Sequence, residues 1–117
     1  MFYHERLHCY GRLKAVAGRL IRGSDGWPRG HAYLVDQLKR ALCSGLLNLV
    51  EGNHRRSVKE RKRFFEISRG SLSEVAGVVD MAHLLGFIPD QERLDLKSEL
   101  LAIVKMIAKL PACPDVE

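Results

Sequence analysis

The stretch SVKERKRFFEISRGSLSEVAGVVDMAHLLG, residues 57–86, decides the fold. It contains no proline and no strand-like alternation, and its apolar residues return at steps of three and four. Phe64, Ile67, Ser71, Val75, Val78, Ala82 and Leu85 form one stripe along it. Ser57 and Glu60 open the segment with the spacing of a capping box, in which serine accepts from the N3 amide and the acid reaches back. Gly86 followed by Phe87 closes it as a Schellman stop, because glycine takes the left-handed conformation without penalty. A helix over 58–85 would be about 40 Å long at about 1.5 Å per residue.

Three further segments surround it. Tyr3, Leu7, Tyr10, Leu13, Ala17, Leu20 and Ile21 share a helical face, and Gly23-Ser24-Asp25-Gly26 ends that run. Trp27-Pro28 opens the next, with Leu34, Leu38, Ala41, Leu42, Gly45, Leu46 and Leu49 inward and Gly52 placed for a left-handed C-cap. Pro89-Asp90 starts the last, with Leu94, Leu100, Leu101, Val104, Ile107 and Ala108 inward. The expected helices cover 3–22, 28–51, 58–85 and 90–110, with a frayed tail over 111–117. Short breaks between long helices make neighbours antiparallel, so the expectation is an all-α, up-down-up-down four-helix bundle, one domain over residues 1–117.

Helix three carries Phe65, Leu72, Ala76 and Val79 besides its stripe, and helix four carries Ile103 and Leu110. This surplus widens the apolar arc beyond one core and points to a second face buried against another subunit. Gly70, Ser71, Ser73 and Gly77 are small enough for close helix approach on it.

At 117 residues and 46% apolar composition the chain is of ordinary globular size and content. No apolar run reaches the ~20 residues of a membrane span, and the first residues lack a signal-peptide core, which gives a cytoplasmic expectation. Cys9, Cys43 and Cys113 are odd in number and lack C-x-x-C spacing. Cys9 and Cys43 fall in helical patterns and read as small core residues.

His4-Glu5-Arg6-Leu7-His8 has the H-E-x-x-H form of a zinc-protease helix, but Lys14 stands where the longer motif wants a third histidine. It reads as solvated helix, with no metal and no cofactor. Nucleotide-binding and hydrolase motifs are absent, so no enzyme is expected. The informative run is His54-Arg55-Arg56-Ser57-Val58-Lys59-Glu60-Arg61-Lys62-Arg63, within a net charge of +5. Cations at a helix N-terminus oppose its dipole by about 0.3–1 kcal/mol each. Their placement there, beside unpaired amides, suits phosphate, and Arg55, Arg56, Lys59, Arg61, Lys62 and Arg63 are the candidate nucleic-acid contacts.

The order Glu51-Gly52, Arg55-Arg56-Ser57, Glu60, Phe64, Ile67, Gly70-Ser71-Leu72 and Glu74 resembles the 23S rRNA intervening-sequence protein family. That family includes relatives of the accessory variability determinant of diversity-generating retroelements. The resemblance implies a bacterial four-helix bundle assembled as a ring-shaped homopentamer without enzymatic activity. For the retroelement branch it implies binding of RNA or DNA and of a reverse transcriptase. It also marks Glu51, Gly52, Ser57, Glu60, Phe64, Gly70, Ser71 and Glu74 as motif residues. The alternative is a structural module whose basic cluster forms intersubunit ion pairs with Glu51 and Glu74.

Overall fold

The computed structural model describes residues 2–111. They form four helices and no strand: α1 (His8–Ser24), α2 (Ala32–His54), α3 (Val58–Leu84) and α4 (Asp90–Ala108). Two short 3-10 turns precede α1 and α2, at Tyr3–Arg6 and Arg29–His31. Side chains that meet across the helices fix their directions. Gln37 reaches Glu74 and Ser68 reaches Gly45, so α2 and α3 run antiparallel. Asp80 meets Lys97 between α3 and α4, and Arg12 meets Glu99 between α1 and α4. Each helix packs on its neighbours around a square, within an envelope of 47 × 24 × 24 Å.

The expected first helix is two elements. Leu7 is extended (φ −76°, ψ 128°) between the 3-10 turn and α1, so no continuous helix covers residues 3–22. Its inward face is Cys9, Leu13, Val16, Leu20 and Ser24, whereas Ile21 is exposed. The α2 stripe is as expected, with Leu38 and Leu49 fully enclosed. Burial of each such leucine is worth about 1.5–3 kcal/mol. α2 runs past Gly52, however, which is helical and not a left-handed cap.

The face of α3 is the largest correction. Phe65, Ser68, Leu72, Val75, Val79 and Ala82 point inward with Val78, while Ile67 is exposed and Phe64 and Ser71 are half-buried. Of the residues read as surplus on α3, Phe65, Leu72 and Val79 are core and Ala76 is half-buried. Of the expected stripe, Val75, Val78 and Ala82 are core as expected, and Phe64, Ile67, Ser71 and Leu85 are not. The reason sits on α2. A Cβ on Gly45 would lie 2.7 Å from Leu72, and one on Gly52 would lie 2.6 Å from Phe65. These two glycines, seven residues apart, admit the two large side chains seven residues apart on α3. Gly70 and Gly77 meet nothing within 4 Å in the described structure, so they are not the close-approach residues of this bundle.

On α4 the inward residues are Leu96, Leu100, Ile103 and Ile107, while Leu94 and Leu101 are exposed. Cys9 is buried as expected, but Cys43 is exposed. The stop after α3 is the expected Schellman motif. Gly86 has φ 83°, its N–H donates to the His83 carbonyl at 2.9 Å, and that of Phe87 donates to the Ala82 carbonyl at 2.9 Å. Of the expected frayed tail, Pro111 is held by Arg61, and 112–117 lie outside the described residues, as does Cys113.

Candidate functional site

Between α2 and α3 the chain turns through three residues, Arg55, Arg56 and Ser57. Arg55 and Ser57 are extended, and the Arg55 N–H still donates to the Glu51 carbonyl at 3.1 Å. Half of the capping box forms. The Glu60 N–H donates to Ser57 Oγ at 3.3 Å, but the Glu60 carboxylate turns to Arg55, at 3.9 Å. Arg55 also pairs with Glu51 at 3.1 Å, and its guanidinium stands 5.1 Å from the centre of the Phe64 ring. Arg63 stands 5.5 Å from that ring. Glu51 and Phe64 thus fix Arg55 to the hinge.

Arg61 has a different place. It is 2% exposed, the largest fully buried side chain of the described structure. Its Nη1 donates to the carbonyls of Gly52 (3.1 Å), Asn53 (3.0 Å) and Arg55 (3.2 Å), and Nε and Nη2 donate to Pro111 at 3.3 and 3.1 Å. The last carbonyls of a helix have no intrahelical partner, and their partial negative charge attracts a cation. Arg61 is thus the C-terminal cap of α2, supplied in reverse from α3, and faces inward from the sequence-predicted cluster. The charge run in the sequence could not separate it from its neighbours. The only signal was conditional: Arg61 continues the stripe of Phe65, Ser68 and Leu72, and becomes recognisable once that stripe is known to face inward.

Arg56, Lys59, Lys62 and Arg63 are exposed, and none of them forms a salt bridge among the described residues. Lys59, Lys62 and Arg63 lie three and four residues apart, on one face of α3. Arg69, seven residues beyond Lys62, extends this face and was absent from the sequence-predicted cluster. It is half-buried, and its Nε has no hydrogen-bond partner in the described structure. Lys62, Glu66 and Arg69 edge a shallow groove of about 320 Å³ floored by Phe65, Ile107 and Leu110. Antiparallel packing also alters the field at the hinge. The negative end of α2 lies beside the positive end of α3, so the dipole cost expected for these cations is partly offset.

The other motif residues divide by role. Gly52 makes room for Phe65. Ser71 shares a 2.7 Å hydrogen bond with Ser44, to which Asn48 also donates, and Glu74 accepts from Gln37. These form a polar seam along the outer edge of α2 and α3. Gly70 is exposed.

His4 and His8 do not share a helical face, because Leu7 breaks the backbone between them. His4 instead faces His54, its Nδ1 2.9 Å from His54 Nε2. Among the described residues no group of three or more His, Cys, Asp or Glu side chains could hold a metal ion. No described helix is long and apolar enough to cross a membrane.

A family model, the 23S rRNA-intervening sequence protein, matches residues 5–109. The chain belongs to that family. The match spans all four helices and includes every residue of the hinge. No curated protein matches the chain.

Proposed function

We propose that this family member is a non-catalytic homo-oligomeric bundle that holds the phosphate backbone of RNA or DNA on the exposed cations of the hinge. The observation that carries this reading is the set Arg56, Lys59, Lys62 and Arg63, exposed together and free of acidic partners among the described residues. Unneutralised cations clustered at the hinge and the first turns of α3 repel one another, and a polyanion relieves that repulsion while releasing its own counterions. Arg55 is held by Glu51 and Glu60 and positions the hinge, and Arg61 is used inside, so the contact set is narrower than the charge run. Phosphate contacts of this kind fix position without reading sequence. The ring-shaped pentamer and a reverse-transcriptase partner are the finer parts of this reading, and the family resemblance supplies them.

The competing structural role needs Glu51 and Glu74 as acids for a neighbouring subunit. Glu51 is engaged by Arg55 and Glu74 by Gln37 within the same chain, which favours the nucleic-acid reading.

Fluorescence anisotropy with generic RNA and DNA oligonucleotides tests it. Binding is expected to weaken linearly in log–log salt with a slope of about −0.7 to −0.9 per phosphate contact. Combined Arg56→Glu, Lys59→Glu, Lys62→Glu and Arg63→Glu should abolish it while circular dichroism stays unchanged. Undetectable binding of wild type at low salt, or an unaffected quadruple variant, would sink the proposal.

A further inference from the structure

The Tyr3–Arg6 turn lies as a strap against α1 and the end of α2. His4 is its buried residue, 9% exposed. The ring stacks on Phe2 at 5.8 Å, meets Tyr10 edge-on at 4.8 Å and crosses His54 at 5.2 Å. A hydrogen bond between His4 Nδ1 and His54 Nε2, 2.9 Å apart, needs one proton between the two nitrogens. A proton on each would set N–H against N–H and place two positive rings in contact. On the strap itself the facing acid is Glu5, whose carboxylate accepts from the Phe2 amide at 2.8 Å. From α1 the facing groups are Tyr10 and, over its ring at 5.4 Å, the Lys14 ammonium. From α2 it is His54, which directly precedes Arg55 and Arg56.

We propose that the His4–His54 pair is a proton-operated latch: one added proton leaves the shared hydrogen bond in place on an imidazolium donor, and protonation of both rings breaks it, frees the strap from α2 and adds His54 to the cations of the hinge. The ligand half of this proposal rests on the reading given under Proposed function, whereas the latch itself does not. Burial holds the His4 imidazole below its ordinary pKa, the neighbouring His54 lowers it further, and Glu5 opposes both. A released strap returns His4 to the ordinary value of about 6.5, so the open form binds more protons wherever pH lies between the two values. The strap is therefore closed above about pH 7 and opens as pH falls through the imidazole range. By linkage, a polyanion that prefers the protonated hinge raises the pH at which the latch opens.

Hydrogen exchange of the full chain at about pH 7.5 and about pH 5.5, corrected for intrinsic rates, reads the latch directly. Amides of residues 3–10 are expected to lose protection at the lower pH while those of the rest of the bundle keep theirs. His54→Gln can still donate to His4 but cannot carry a positive charge, and should reduce this dependence to the part that burial of His4 alone sets. Unchanged protection of wild type at the two values overturns the latch, as does an equal loss in the variant. In parallel, the salt dependence of binding to a generic RNA oligonucleotide should steepen at the lower pH by about 0.7 in slope for wild type, and not for His54→Gln. Equal steepening in both overturns the coupling to the hinge. Loss of strap protection with no binding at either pH overturns the nucleic-acid reading and leaves the latch standing.

Discussion

Arg61 is the residue on which the hinge depends. A buried guanidinium commonly answers to a carboxylate, but here its hydrogen bonds go to four backbone carbonyls, from Gly52, Asn53, Arg55 and Pro111. Removing it would orphan the end of α2 and release Pro111 at once, and each buried acceptor left unpaired costs about 1–3 kcal/mol. Arg61→Ala should therefore lower stability by about 3–5 kcal/mol in urea denaturation. Arg61→Lys should recover only part of this, since a single ammonium cannot span the fork. Lys59→Ala and Lys62→Ala, at exposed side chains with no ion pair among the described residues, should stay within about 0.5 kcal/mol. Arg61 also shows what the sequence left hidden. Ten residues, His54 to Arg63, contain six Arg or Lys that look alike as charge, and Arg61 stands apart only once the stripe of Phe65, Ser68 and Leu72 is known to be the inward one.

The helices themselves were legible, because proline, glycine and capping residues punctuate them and their apolar residues repeat. The inward side of α3 was not. Its two stripes, Phe64-Ile67-Ser71 and Phe65-Ser68-Leu72, are displaced by a single residue and similar in hydrophobicity, so periodicity cannot choose between them. Space on the facing helix chooses. Gly45 and Gly52 admit Leu72 and Phe65, and a methyl at either position must displace an enclosed side chain. Gly52→Ala would meet both the Phe65 ring at 2.6 Å and Phe64 Cβ at 3.2 Å, so relief requires α2 and α3 to separate. Overpacking of this kind costs about 1–3 kcal/mol, more than the ~1 kcal/mol that alanine gains over glycine in a helix. Thermal denaturation should show Gly52→Ala destabilised, Gly45→Ala less so because the Leu72 tip can turn, and Gly11→Ala slightly stabilised, since nothing lies within 4 Å of its added methyl.

At the scale of the whole molecule, the turned face of the first half of α3 changes which surface remains for a partner. Tyr33 and Leu47 on α2 and Ile67, Met81 and Leu84 on α3 are large, apolar and between 38% and 79% exposed. Gly70 and Gly77 leave open space on α3 nearby. A surface with this many exposed apolar side chains is costly to leave in water, and small residues beside them allow a second helix to come close. Ring closure would give each subunit two neighbours at about 800 Å² apiece, more than a fifth of the 7092 Å² that the chain exposes. Charge placed on this face should therefore separate subunits without unfolding them, because the face lies outside the core. Sedimentation velocity should show wild type as an oligomer and the Leu47→Glu, Ile67→Glu double variant close to the 13.2 kDa monomer, with helical content unchanged. Monomeric wild type at all concentrations would remove oligomerisation from the proposal while leaving the cation cluster, which one subunit already carries complete. The two properties are physically separable. Phosphate binding needs only the hinge, whereas a ring would repeat that hinge around its axis and raise its effective concentration toward a long polyanion. Monomeric double variant should thus still bind a short oligonucleotide, and lose affinity for a long one.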